Sequence, residues 1–161
     1  MGGVVLLPTA PFVNVGGPAP GGLNNGSVVL RLSRGDQSIL LTGDTEHETD
    51  AVVAAWGERA KARILKVAHH GSRTSSSSVF LKAVQPEIAL ISCGIDNKFR
   101  HPSPEVLTRY RALEVRVERT DIVGSIRVGV GQVGYRIETW LGGTDSAGSL
   151  LSIQKSGDAR L

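Results

Sequence analysis

Three stretches of this 161-residue chain place metal-binding or proton-transferring side chains directly behind an apolar run. In ILLTGDTEHE the run ends at Thr42, Gly43 lets the backbone turn, and Asp44 stands at the tip. A helix N-terminus follows, and its dipole favours an ionised carboxylate. In RILKVAHHGSRTSSSS a second run ends in His69 and His70, half of the chain's four histidines. In EIALISCGIDNKFRHPSPE a third run leads to Asn97, Arg100 and His101. Carboxylate oxygen and neutral imidazole nitrogen are the usual ligands of Zn²⁺, Mn²⁺ or Fe²⁺. Gly71 permits close backbone approach, while Ser72, Arg73 and a helix beginning near Ser75 supply donors suited to an anion. Asn97 and His101 suit the orienting of a phosphoryl or carbonyl oxygen, or proton delivery to a leaving group.

Each stretch also has an ordinary explanation. A Gly-Asp at a strand end is commonly a turn or a helix N-cap. A single turn histidine is more often solvated than a ligand, and a polar loop often just leads into a helix. Two adjacent histidines with an aspartate at the same edge bring a metal level with that ordinary account. His47 stays outside it: EHE lacks the second histidine of an HExxH helix, so a solvated helix position is expected.

The elements decide whether these residues meet. SVVLRLS and QSILLTG read as strands joined by an Arg34-Gly35-Asp36 hairpin turn. TEHETDAVVAAWGERA has a Thr N-cap, early acids and helical apolar spacing, and RILKVA is the next strand. SSSSVFLKAV reads as a short serine-capped helix ended before Pro86, and EIALIS as a buried strand. Ser103-Pro104-Glu105 opens a third helix through Ala112. VRVERT, SIRVGV and YRIETW are strand-like, with turns at 121–124 and 131–134. One strand, one helix and one strand separate Asp44 from His69. A βαβ crossover carries both strand ends to the same edge of a sheet, where such sheets bind ligands. The fold class is therefore α/β with a β-rich end, in one domain over 1–141. Residues 9–26 read as a Gly/Pro/Asn-rich loop and 142–161 as a flexible tail.

Bulk properties narrow the field. A net charge of +3 is a weak lean toward anionic partners, far from a polybasic tail. One cysteine, Cys93, excludes an internal disulfide and a Cys-rich zinc site. No apolar run approaches the roughly 18 residues of a membrane span, and MGGVVLLPTAPF has no positive n-region for a signal peptide.

LLTGD, LKVAHHGSRTSSS, ISCGIDNKFRHPSPEVL and RTDIVGSIRV, in that order, resemble the metallo-β-lactamase-fold domain of ComEC-like competence DNA-uptake proteins. NNGSVVLRLSRGDQSIL fits the strand pair preceding the aspartate in that family. The resemblance covers about Val4 to Val130. It implies an αββα sandwich with a two-metal site, Zn or Mn, in which Asp44 and His70 are ligands. It places His69 and His101 in catalytic or substrate-contacting roles, and Ser72, Arg73, Asn97 and Arg100 on the substrate. The superfamily's HxHxDH or HxDxDH cluster is absent from this chain, whose histidines are His47, His69, His70 and His101. The expectation is thus a C-terminal half of the family domain, its N-terminal half missing and its metal incompletely coordinated.

The function so implied is metal-dependent phosphodiester hydrolysis on single-stranded DNA during uptake. Expected partners are that DNA and either the missing N-terminal half-domain or a membrane channel domain. The chain would lie at the extracytoplasmic face within a ComEC-like protein, and in the cytoplasm otherwise. Two rivals stand beside this: a non-catalytic remnant or DNA-binding module, and a hydrolase of small esters or lactams.

Overall fold

The computed structural model describes the backbone of 4–6 and residues 21–131 and 134–141. The expected tail and most of the Gly/Pro-rich loop lie outside these residues. Apolar side chains alternate along the central strands, and that alternation builds three layers. In β3 (Gln37–Leu41), β4 (Ile64–Lys66) and β5 (Ile88–Ile91), Leu40, Leu65, Ala89 and Ile91 join one core cluster. Ile39, Ile64, Ile88 and Leu90 belong to another. The first cluster is covered by α1 (His47–Ala54), α2 (Ser78–Val84) and α3 (Pro104–Ala112), through Val53, Phe80, Leu81, Val84, Val106 and Tyr110. Burying each such side chain fully contributes about 1.5–3 kcal/mol.

The second cluster is closed by β7 (Ser125–Val130) and β8 (Tyr135–Trp140), an antiparallel pair that contributes Ile126, Val128, Tyr135 and Ile137. The layers are therefore helices, main sheet and small sheet, an αββ part of the expected sandwich.

The main sheet has the order β1-β2-β3-β4-β5-β6, with β1 (Val4–Leu6), β2 (Leu30–Arg34) and β6 (Arg116–Arg119) completing it. β1, β2 and β3 pair antiparallel, whereas β3 to β6 run parallel. Four consecutive parallel strands thus end at one rim. Their following loops carry Asp44, then His69 and His70, then residues 94–101, then the short helix α4 (Thr120–Val123). Among the described residues, no helix is long and apolar enough to cross a membrane.

Two local expectations are corrected. The first helix begins at His47, and Thr45 is buried rather than capping. Asn25 takes over the capping from a distant loop: its Oδ1 accepts from Glu46 N at 2.8 Å and from Thr49 Oγ1 at 2.8 Å. The second helix begins at Ser78, not near Ser75. The amide of Ser77 already donates to Asp50 Oδ2 at 2.6 Å, so the anion at this helix start is the protein's own carboxylate.

Candidate functional site

The rim is fastened before it is furnished. Thr42, fully buried, donates its hydroxyl to the Lys66 carbonyl at 2.8 Å, and His69 N donates to the Gly43 carbonyl at 3.0 Å. These bonds tie the end of β3 to the end of β4. Gly43 has φ +58, and a Cβ there would stand 2.7 Å from Ser27 Cβ. Ser27 Oγ in turn accepts from Asp44 N at 3.0 Å. Asp44 is held by its backbone, with its carboxylate half-exposed.

His69 and His70 occupy a 3-10 turn, Ala68–Gly71, and both adopt left-handed backbone, φ +46 and φ +53. That region is disfavoured for bulky residues and recurs where function over-determines the backbone. The turn aims both imidazoles. His70 Nδ1 lies 2.6 Å from the Ser92 carbonyl, which can only accept. The neutral ring therefore carries its proton on Nδ1 and leaves the Nε2 lone pair bare. That Nε2 stands 3.8 Å from Asp44 Oδ1. His69 is arranged alike, with Nδ1 3.2 Å from Glu46 Oε1, an oxygen that also accepts from Thr74 Oγ1 at 2.7 Å.

His101 arrives from the loop after β5. Its ring meets His69 edge-on at 5.8 Å between centroids. The approach is close because Gly71 has no side chain: a Cβ at its φ of +82 would fall 2.6 Å from Pro102 Cβ. Ser103 N donates to the Gly71 carbonyl at 2.9 Å. Burial, reinforced by neighbouring His69 and His70, holds the His101 pKa below the usual imidazole value. Its Nδ1 is buried with no partner among the described residues.

The remaining expected residues divide by exposure. Asn97 spends its amide inside its own loop, donating to the Gly94 and His101 carbonyls at 2.9 and 2.8 Å and accepting from His101 N at 2.9 Å. Ser72 is buried, its hydroxyl 3.0 Å from Thr74 Oγ1. Ser75 and Ser76 are fully buried too. Ser75 Oγ reaches the Ala68 and Ser72 carbonyls at 3.0 and 2.9 Å, and Ser76 Oγ meets Tyr110 Oη at 3.0 Å. The serine-rich stretch is an internal staple beneath the histidine turn. Arg73 and Arg100 are exposed. His47, as expected, is exposed on its helix, its Nδ1 3.5 Å from Asp50 Oδ2.

Sequence reasoning missed Glu46 and Thr74, which brace His69, and Lys66. Lys66 lies at the end of β4, where burial lowers its pKa and nearby Asp44 opposes that shift. The signal for Glu46 was its place two residues beyond Asp44, read only as helix cap chemistry.

A divalent ion fits two of these residues. Donors about 2.0–2.2 Å from a zinc ion stand roughly 3–3.5 Å apart in one shell. The Asp44–His70 separation of 3.8 Å is near that scale, and the Ser92 bond is the outer partner that metal-binding imidazoles usually have. Among the described residues, no group of three or more His, Cys, Asp or Glu forms a complete metal cluster.

Comparison with known proteins adds independent findings. A model of the metallo-beta-lactamase superfamily matches residues 6–95. The chain is 39% identical over 116 residues to competence protein ComA of Neisseria gonorrhoeae, covering 71% of this chain and 17% of that protein. It is 41% identical over 110 residues to ComE operon protein 3 of Bacillus subtilis strain 168, covering 68% and 14%. It is 37% identical over 105 residues to recombination protein 2 of Haemophilus influenzae, covering 65% and 13%. The chain thus spans less than a fifth of the length of these curated relatives.

Proposed function

The chain belongs to the metallo-β-lactamase superfamily, and from that premise we propose that its rim is part of the divalent-metal site of a ComEC-like hydrolase that cleaves phosphodiesters of single-stranded DNA. The observation that carries this is the paired placement of Asp44 and His70, with the His70 tautomer set by Ser92 so that Nε2 faces the carboxylate. Asp44 and His70 would hold the ion, which when bound supplies Lewis acidity and an acidified water.

The chain's own residues supply the surroundings. His69, its Nδ1 braced by Glu46, keeps Nε2 as the nitrogen that can accept a proton. His101, whose pKa burial and the neighbouring His69 and His70 lower, can donate a hydrogen bond from its neutral ring without adding charge. Arg73 and Arg100 are exposed cations suited to phosphate oxygens. Ser72 and Asn97 act by shaping the loops that carry them.

The test is a Mn²⁺-dependent cleavage assay on single-stranded DNA with the purified 161-residue chain. With two ligands among the described residues, cleavage should be slight, metal-dependent and abolished by Asp44→Ala. Robust turnover surviving Asp44→Ala would place the chemistry elsewhere. A second reading, a nucleic-acid-binding module without catalysis, is favoured by the absence of a third ligand among the described residues. DNA binding indifferent to metal, with no cleavage, would select it.

A further inference from the structure

The loop after β5 displays an aromatic ring at the rim. Phe99, one of three phenylalanines in the chain, is 67% exposed. It is nevertheless held in place. Its ring lies nearly parallel to His101, 5.8 Å between centroids and 17° between planes, and His101 leans on His69. The three Asn97 side-chain hydrogen bonds fix the backbone on both sides of it. Lys98 Nζ lies 4.9 Å from the ring centroid, and both Lys98 and Arg100 are exposed.

An ordered, exposed aromatic between two cations matches the alternation of bases and phosphates in an unpaired strand. Every base has a π-face, so such a ring binds without regard to sequence. We propose that Phe99 is a stacking platform for an unpaired nucleobase beside the candidate metal site, with Lys98 and Arg100 taking the flanking phosphates. This rests on the reading of the rim as a nucleic-acid site. Lys98 is the group that a stacking base displaces. A cation–π contact at an exposed site is weak, and the released ammonium remains within one residue of the strand. Ile95, in the same loop, is a second exposed apolar residue at 76%.

The test compares fluorescence anisotropy of a labelled thymidine oligomer and an abasic oligomer of equal length, so that phosphate number is constant. The 161-residue chain and its Phe99→Leu and Phe99→Trp variants are titrated against each. The wild type should favour the base-bearing strand by about tenfold, within the range of one stacked base. Phe99→Leu should remove that preference while leaving abasic binding unchanged, and Phe99→Trp should restore it. Equal affinity of the wild type for both strands, or a preference that survives Phe99→Leu, would overturn the platform alone. No binding to either strand would overturn the nucleic-acid reading of the rim, and the platform with it.

Discussion

His69 and His70 share the backbone strain of the rim with Asp96 and Arg100, which also adopt positive φ. Two consecutive side-chain-bearing residues at positive φ cost on the order of 1–3 kcal/mol each, offset here by bonds to Gly43, Ser92 and Glu46. His70→Gly should therefore be more stable than His70→Ala by about 1 kcal/mol in urea denaturation, because glycine tolerates that φ freely. Both should lose metal binding equally. Identical stabilities would mean that the left-handed turn is not imposed on the residue. A second residue-scale prediction concerns acid. Side-chain hydrogen bonds from Arg119 hold the Asp121 carboxyl below its usual pKa, and Cys93 Sγ donates to the same group at 3.1 Å. A depressed folded pKa means stability fully present above the ordinary aspartate value of about 3.9, and lost as pH falls through the lower folded value. The urea midpoint should fall more between neutral pH and pH ~3 in the wild type than in Asp121→Asn. Parallel losses in both proteins would remove this pair from the account.

At the scale of elements, the first two helices are anchored at their starts by polar groups from elsewhere in the chain. Asp50 is buried and caps the start of α2 through Ser77 N, so Asp50→Ala should cost about 1–3 kcal/mol by leaving that amide unpaired. Urea denaturation checks this, and a loss below ~0.5 kcal/mol would mean that water replaces the carboxylate. Gly71→Ala should be worse than a simple φ penalty, since its Cβ meets Pro102, backbone Cα included, at 3.1 Å. Strands and local caps were legible because their signals lie within a few residues. Ser103-Pro104-Glu105 marks the start of α3, and Ser77 accepts from Phe80 N as a serine cap should. The convergence of Asp44 with His70 followed from parallel order alone. The start of α1 was not legible, because Asn25 sets it from twenty-odd residues away. Nor was the inward turn of Ser72, Ser75 and Ser76, since their hydroxyls meet Thr74, two backbone carbonyls and the Tyr110 phenol respectively. Polar composition alone looked like an anion site.

Across the whole molecule, the parallel strand ends open on one side and gather the cations Arg73, Lys98 and Arg100, while the net charge is only +3. Binding of single-stranded DNA should accordingly be local and salt-dependent. Three phosphate contacts predict a slope of log affinity against log salt of about −2. Replacing Arg73 and Arg100 by alanine should reduce that slope to roughly −0.7, whereas an unchanged slope would move the strand off this rim. The central claim, that Asp44 and His70 share one divalent ion, is reached most directly by calorimetric titration of Mn²⁺ or Zn²⁺ into the 161-residue chain. The account predicts weak binding at one site, abolished by Asp44→Ala and by His70→Ala, weakened less by His69→Ala, and untouched by His47→Ala. Binding that survives both Asp44→Ala and His70→Ala would contradict it.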